Sequence, residues 1–262
     1  MVHIHNAAAT GESAANRKRE DRETSSATTC RIFASDGESF TPNPKILDTN
    51  RIVSWNKRHP CTRAFDILRT KVLAEMTSQG WNSVAITSPA ESCGKTTVAL
   101  NLSLSMAHQL RSSVALIDFD LRQPQVAAML GMQPEVELGD FLDGRSHLPV
   151  HIISAGTVRL RVVPSLGAHP NATELLGDAK VDQLFAELKS QDTSGVGVFD
   201  LPPLLTTDDA LSVLPRVDCA LLVVGEGVTT KAQLTEALNL LSGTNTLGVV
   251  LNRSRASVNA YY

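Results

Sequence analysis

Tyrosine is nearly missing from this chain: among 262 residues there are two, Tyr261 and Tyr262. Aromatic residues together make up only 4% of the sequence. Cysteine is also scarce. Cys30, Cys61, Cys93 and Cys219 are scattered without a C-x-x-C pair, which excludes a disulfide framework or a zinc knuckle and fits a reducing compartment. No apolar run approaches the roughly 18–20 residues of a membrane span, and no secretory leader is visible. Any membrane role is therefore expected to come through a partner. A basic excess is absent as well. The formal net charge is −3, which speaks against nucleic acid as a partner.

What remains, at 42% hydrophobic residues, suits one well-buried α/β domain with tails. Residues 1–58 read as a disordered or weakly ordered N-terminal tail. Gly11 to Ser26 is small, charged and polar, with too little apolar surface to offset the entropy of ordering. From Thr62 a helical period begins. Phe65, Leu68, Val72 and Met76 share one face, and Gly80 can end the helix. Six apolar runs follow, at 83–87, 114–118, 160–164, 196–200, 218–224 and 247–251. Helical segments separate them. Asn171-x-x-Glu174 and Thr230-x-x-Gln233 both resemble capping boxes, and Leu234, Ala237, Leu238 and Leu241 give the second helix an apolar face. Strands apolar on both faces and separated by helices predict a doubly wound, mostly parallel sheet in a three-layer α/β/α arrangement over 59–252.

The chemistry is concentrated where strands end. Val84-Ala-Ile-Thr-Ser-Pro-Ala-Glu-Ser-Cys-Gly94-Lys95-Thr96-Thr97 runs from β-formers through a loop into a helix, the layout of a phosphate-binding P-loop. Backbone N–H groups of Ser92, Cys93 and Gly94 and the positive helix end face a polyphosphate. Lys95 adds a mobile charge, and Thr96 offers a hydroxyl to Mg²⁺. The pattern departs from G-x-x-x-x-G-K-[ST] at Pro89, where glycine is usual. Asp118 and Asp120 end a second apolar strand two residues apart, so both carboxylates are expected on one face. About 6 Å apart at an effective dielectric near 20, they repel by roughly 3 kcal/mol, and Arg122 or a magnesium ion is the expected counter-charge. Asp200 ends a third strand before Pro202-Pro203 in the manner of a Walker B acid. Asp208 and Asp209 read as charges at a helix N-terminus.

Together these residues resemble the bacterial tyrosine kinases of capsule and exopolysaccharide export (the BY-kinase or CpsD/CapB family) over about residues 60–262. The resemblance rests on the P-loop, on Leu116-Ile-Asp-Phe-Asp-Leu-Arg-Gln-Pro124 and Pro170-Asn-Ala-Thr-Glu-Leu-Leu176, and on Phe199-Asp-Leu-Pro-Pro203, Val217 to Val224 and Leu247 to Asn252. It implies a P-loop NTPase fold like that of the MinD/ParA ATPases and a protein-tyrosine autokinase using ATP and Mg²⁺. By the same resemblance Lys95 and Thr97 hold phosphates while Thr96, Asp120 and Asp200 organise Mg²⁺. Asp118 takes the tyrosine hydroxyl proton, and Asn252 matches a position that contacts adenine in related ATPases.

The family phosphorylates a C-terminal tyrosine cluster, here Tyr261 and Tyr262 in the tail 253–262. Ten extended residues reach roughly 35 Å, enough to enter a neighbouring copy's site. The implied partners are a membrane-embedded polysaccharide chain-length or export protein as activator, further copies in a homo-oligomer, and a cognate tyrosine phosphatase. The implied location is cytoplasmic, at the inner face of the plasma membrane. The alternatives are a MinD/ParA-like ATPase switch and a non-catalytic ATP-binding adaptor. Positioning ATPases carry a lysine where this chain has Ala90, which favours the kinase branch. The family's Glu-x-x-Arg-x-x-Arg assembly motif is replaced by Arg63, Asp66 and Arg69. Cys93 reads as a small loop filler rather than an oxidation switch.

Overall fold

The computed structural model describes residues 32–33, 37–110, 114–190 and 195–254. In chain order the elements are β1 (Glu38–Phe40), α1 (Pro44–Thr49), α2 (Thr62–Gln79), β2 (Ser83–Thr87), α3 (Lys95–Leu110), β3 (Val114–Asp118), α4 (Val126–Leu130) and α5 (Leu138–Leu142). There follow β4 (His151–Ala155), β5 (Val158–Val163), α6 (Ala172–Leu176), α7 (Ala179–Ser190), β6 (Val196–Asp200), α8 (Asp209–Val213), β7 (Cys219–Gly225), α9 (Lys231–Leu240) and β8 (Thr246–Asn252). The eight strands form one sheet in the order β1-β4-β5-β3-β6-β2-β7-β8. Every pairing is parallel except the β4–β5 hairpin.

The central strands are apolar on both faces because both faces are covered. Along β2, Val84 and Ile86 join a core with Val72 and Met76 of α2 and Leu100 and Leu104 of α3. Ala85 between them faces the opposite core, built on α7, α8 and α9. The same alternation places Ala115 and Ile117 on one side of β3 and Val114 and Leu116 on the other, as the two-residue period of a strand requires. On the α7 side Phe119, Phe185 and Phe199 pack as a trio. The Phe185 and Phe199 rings are stacked at 4.6 Å and Phe119 is 5.3 Å from Phe199. Gly197 makes room for α7, since a Cβ there would lie 2.9 Å from Leu188 Cδ1. The six expected strands all form, with ends shifted by at most two residues. Gly80 closes α2 at φ 70°.

Three expectations need correction. Residues 37–58 belong to the fold rather than to a tail. β1 adds a parallel edge strand to β4, with Glu38, Ser39 and Phe40 opposite His151, Ile152 and Ile153. Asn43 caps α1, accepting from Lys45 N at 3.0 Å, with Pro44 at the helix start. Leu47 and Ile52 are fully enclosed. Second, Asn171 makes no side-chain cap bond at α6, whereas Thr230 and Gln233 do form the reciprocal box at α9. Third, Leu238 is 39% exposed, while Ala237 and Leu241 are buried and Leu234 packs against the core.

Asn101, buried on α3, ties the early segment down. Its Oδ1 accepts from Val53 N at 2.7 Å and Ser54 N at 2.9 Å, and its Nδ2 donates to Arg51 O and to Thr97 O. Asn101→Leu leaves those two amides without a partner. It should cost about 2–4 kcal/mol, read as a lower urea midpoint at unchanged m-value. A loss under about 0.5 kcal/mol would mean the segment is not held this way.

Candidate nucleotide site

The P-loop, the β3 end and the β6 end meet at one edge because β2, β6 and β3 are neighbours and all parallel. Their carboxyl ends line up, which is where open α/β sheets bind ligands. A cleft of about 300 Å³ opens there, lined by the P-loop, Asp120, Pro202, Pro203 and Arg253 among others. The loop's left-handed positions are Ser92 (φ 62°) and Gly94 (φ 86°). Position 89 is not among them, so Pro89 is tolerated where the usual pattern has glycine. At Gly94 the missing Cβ matters further, because one would lie 2.2 Å from Asn252 Nδ2. The loop's shoulder is braced by the chain after Asp200. Thr87 Oγ1 donates to Pro202 O, Leu204 N to Ser88 O and Leu205 N to Pro89 O.

Lys95 is the electrostatic centre. Its Nζ lies 2.7 Å from Asp120 Oδ2 and 3.6 Å from Asp200 Oδ1, with only 9% of the residue exposed. Burial works against its charge, but Asp200 and Asp120 outweigh that and hold its pKa above the usual lysine value. Thr96 Oγ1 donates to Asp200 Oδ2 at 2.6 Å. Burial raises the Asp200 pKa, and Lys95 and Thr96 offset it only in part.

Lys95, Thr96, Thr97, Ser92, Gly94 and Asp120 line the cleft. Cys93 is 1% exposed, with Sγ 3.3 Å from Thr229 Oγ1, consistent with a loop filler. Asn252 Nδ2 donates to Cys93 O at 2.9 Å, so its amide fastens the P-loop from behind. Asp118 is fully enclosed. Its oxygens accept from the amides of Asp120, Gln125 and Val126 at 3.1–3.2 Å, which sets it back from the cleft. Burial, then Asp200, pushes its pKa well above the ordinary value. Tyr261 and Tyr262 lie outside the described residues.

The donor set suits a hard cation. Thr96, Asp120 and Asp200 present only oxygens, and Asp200 Oδ1 is buried without a hydrogen-bond partner. Among the described residues no group of three or more acidic, histidine or cysteine side chains closes on one point. Mg²⁺ fits that description, because it keeps waters and takes one or two carboxylates plus phosphate oxygens.

Arg122 does not neutralise the Asp118/Asp120 pair. Its Nε and Nη2 meet Asp209 Oδ2 and Oδ1 at 2.5 and 3.0 Å, and Nη2 also donates to Thr173 at 3.2 Å. Asp209 stands in the first turn of α8, as expected of a helix N-terminal charge, and is also a buried tie between the β3 loop, α6 and α8. Sequence reasoning missed this tie, because its members are 36 to 87 residues apart. It also missed Glu91 Oε1, which accepts from Gln123 Nε2 at 3.2 Å on the cleft rim.

Fold and site define a P-loop NTPase of the ParA class. The ParA family model, described as NUBPL iron-transfer P-loop NTPase, matches residues 81–259. Tyrosine-protein kinase YwqD of Bacillus subtilis (strain 168) is 30% identical over 218 residues, covering 82% of this chain and 91% of that protein. Tyrosine-protein kinase CpsD of Streptococcus agalactiae is 29% identical over 200 residues, 75% of this chain and 85% of its own. The kinase domain of Escherichia coli tyrosine kinase ETK shares the fold at a TM-score of 0.69 and 23% identity, covering 86% of this chain and 94% of that domain. The chain belongs to the bacterial tyrosine-protein kinases within the ParA-type P-loop NTPases.

The Asp209 tie carries a pH signature. Burial alone would raise the Asp209 pKa, but the Arg122 and Thr173 hydrogen bonds outweigh it and depress the folded value. A depressed carboxylate stabilises the fold above the unfolded pKa of about 3.9 and loses that contribution as pH falls through the folded value. Asp209→Asn should therefore lower the urea midpoint clearly at pH 7, with the gap to wild type closing as pH falls through the depressed folded value. A gap that stays constant with pH would show that the charge is not what matters.

Proposed function

We propose that this kinase transfers the γ-phosphoryl group of Mg-ATP to Tyr261 and Tyr262 of neighbouring copies, and thereby regulates capsule or exopolysaccharide assembly and export. One observation carries the reading: Lys95, Thr96, Asp120 and Asp200 converge at the carboxyl ends of adjacent parallel strands, behind a P-loop. Phosphoryl transfer asks a protein mainly for positioning and charge neutralisation, and this cluster supplies both.

In the proposed reaction the tyrosine oxygen bonds to the γ-phosphorus while the bond from that phosphorus to the β,γ-bridging oxygen breaks. ADP leaves, and the phenolic proton passes to a carboxylate. P-loop amides and Thr97 hold the phosphates. Lys95, now turned onto Asp120, moves to the phosphate chain. Thr96, Asp120 and Asp200 would hold Mg²⁺, which when bound neutralises charge on the phosphate oxygens. Asp120 lines the cleft. Asp118 serves as proton acceptor only if nucleotide binding frees it from the amides at 125 and 126.

No helix among the described residues is long and apolar enough to cross a membrane. A membrane-embedded export protein is accordingly proposed as activator, with further copies of this chain as phosphoacceptors and a tyrosine phosphatase as the opposing enzyme.

Purified protein incubated with Mg-ATP and the activator's cytoplasmic segment should accumulate phosphotyrosine. Lys95→Ala should reduce the rate by more than about a hundredfold, consistent with the weight of electrostatic stabilisation in such sites. Tyr261→Phe with Tyr262→Phe should abolish the phosphotyrosine signal, and mixing that variant with Lys95→Ala protein should restore it on the Lys95→Ala chain. ATP hydrolysis without phosphotyrosine would instead support a MinD/ParA-like switch, and neither activity would support an adaptor.

A further inference from the structure

A second cavity, of about 880 Å³, opens on the same edge of the sheet as the nucleotide cleft. It lies where β1 and β4 begin, lined by Gly37 and Glu38 and by residues 146–151. β4 runs against β5, so its start stands level with the carboxyl ends of β5 and β3. His151 is opposite Val162, and the next residue, Val163, is opposite Ile117, beside Asp118. In strand order β4 is two places beyond β3, on the side away from the P-loop. At about 4.8 Å per strand the offset is about 10 Å. Helix α4 is the wall between the two openings: Gln125 and Met129 line the nucleotide cleft, Gly131 and Met132 the cavity.

The lining has a definite chemical character. Met132 and Val150 are buried and Phe40 is half-buried, which gives an apolar floor. Glu38 and Glu135 are exposed on the rim, and none of the described lining residues is Lys or Arg. Glu38 stays 78% exposed although its Oε2 lies 3.5 Å from His151 Nδ1. An apolar floor under an acidic rim complements an extended peptide with aliphatic and basic side chains. One such peptide belongs to this chain. Residues 253–262 carry Arg253, Arg255 and Val258 and no acidic residue. Counted back from Tyr261, Val258 is three residues away and Arg255 six, or about 10 and 20 Å of extended chain. With Tyr261 at the cleft, that length takes Val258 past α4 to the floor and Arg255 to the rim.

We propose that this cavity is a docking groove for the C-terminal segment of a second copy of the chain. Val258 rests on the apolar floor and Arg255 meets Glu135 and Glu38, so that the copy's tyrosines are delivered to the cleft. The inference rests on the tyrosine-transfer reading above and deepens it by naming what positions the acceptor.

Fluorescence anisotropy of a labelled peptide of residues 253–262, titrated with the full chain, tests it. Mg-ADP affinity and phosphotyrosine formation are measured on the same samples. Glu135→Lys should weaken peptide binding about fivefold at low salt, the range of exposed ion pairs when one charge is reversed, and the gap should shrink as salt screens it. A peptide carrying Arg255→Glu should bind the Glu135→Lys chain better than it binds wild type, since exchanged charges again attract. Mg-ADP affinity should change less than about twofold. Peptide binding that Glu135→Lys leaves unchanged would overturn the proposal, as would equal loss for both peptides. If Glu135→Lys instead released the activator's cytoplasmic segment and left the peptide bound, the cavity would belong to the activator and the proposal would fail. Peptide bound as expected, with no phosphotyrosine formed from Mg-ATP, would sink the transfer reading while the docking site stood. Glu135 is exposed, so its variant is expected to fold.

Discussion

The site depends on burying negative charge at the ends of neighbouring strands. Parallel β3 and β6 deliver Asp118 and Asp200 opposite each other in register, with Asp120 two residues beyond, and all three are nearly inaccessible to water. Burying ionised carboxylates without partners is prohibitive. Lys95 and Thr96 are the partners for Asp120 and Asp200, and backbone amides are the partners for Asp118. One lysine shared by Asp120 and Asp200 leaves carboxylate oxygens over, Asp200 Oδ1 among them without a hydrogen bond. That surplus suits a metal-complexed nucleotide, whose cation completes the balance, better than a bare anion. The P-loop lysine is thus a structural counter-charge as well as a phosphate ligand.

Much of this is legible in the residues alone. Val84 to Thr87, Val114 to Asp118 and Val196 to Asp200 are apolar on both faces, a pattern that only a sheet covered on both sides explains. Each segment then ends in residues that only a shared edge brings together. What the sequence hid was pairing at a distance. Arg122 stands two residues from Asp120 and looks like its counter-ion, but its guanidinium takes Asp209. The reason is geometric: Lys95 already occupies Asp120 at 2.7 Å, and Asp209 offers two oxygens to a planar fork, the better match for arginine.

The edge of the sheet was misread for a different reason. Glu38-Ser-Phe40 is three residues long and carries one apolar side chain, so periodicity has nothing to register. Its order comes from backbone pairing with β4 and from the capped helix α1 that succeeds it. Asn43-Pro44 was the legible signal, since asparagine caps helices and proline is suited to their first turn. Asn101 was not legible, because a polar residue inside an apolar helix shows its purpose only when the amides of Val53 and Ser54 are seen above it.

The P-loop's departures from the common pattern bear on which branch of the NTPases this site serves. Pro89 stands at a position that is not left-handed, and the strain falls on Ser92 and Gly94 instead. Ala90, where the positioning ATPases carry lysine, contributes only its carbonyl, which accepts from Ser88 Oγ at 2.8 Å. The neighbouring Glu91 turns its carboxylate to Gln123 on the rim. The entrance to the loop therefore supplies no positive charge of its own. Within the loop, the charge that meets a polyphosphate comes from Lys95 at its end; outside the loop the cationic side chains lining the cleft are Arg122, already held by Asp209, and Arg253.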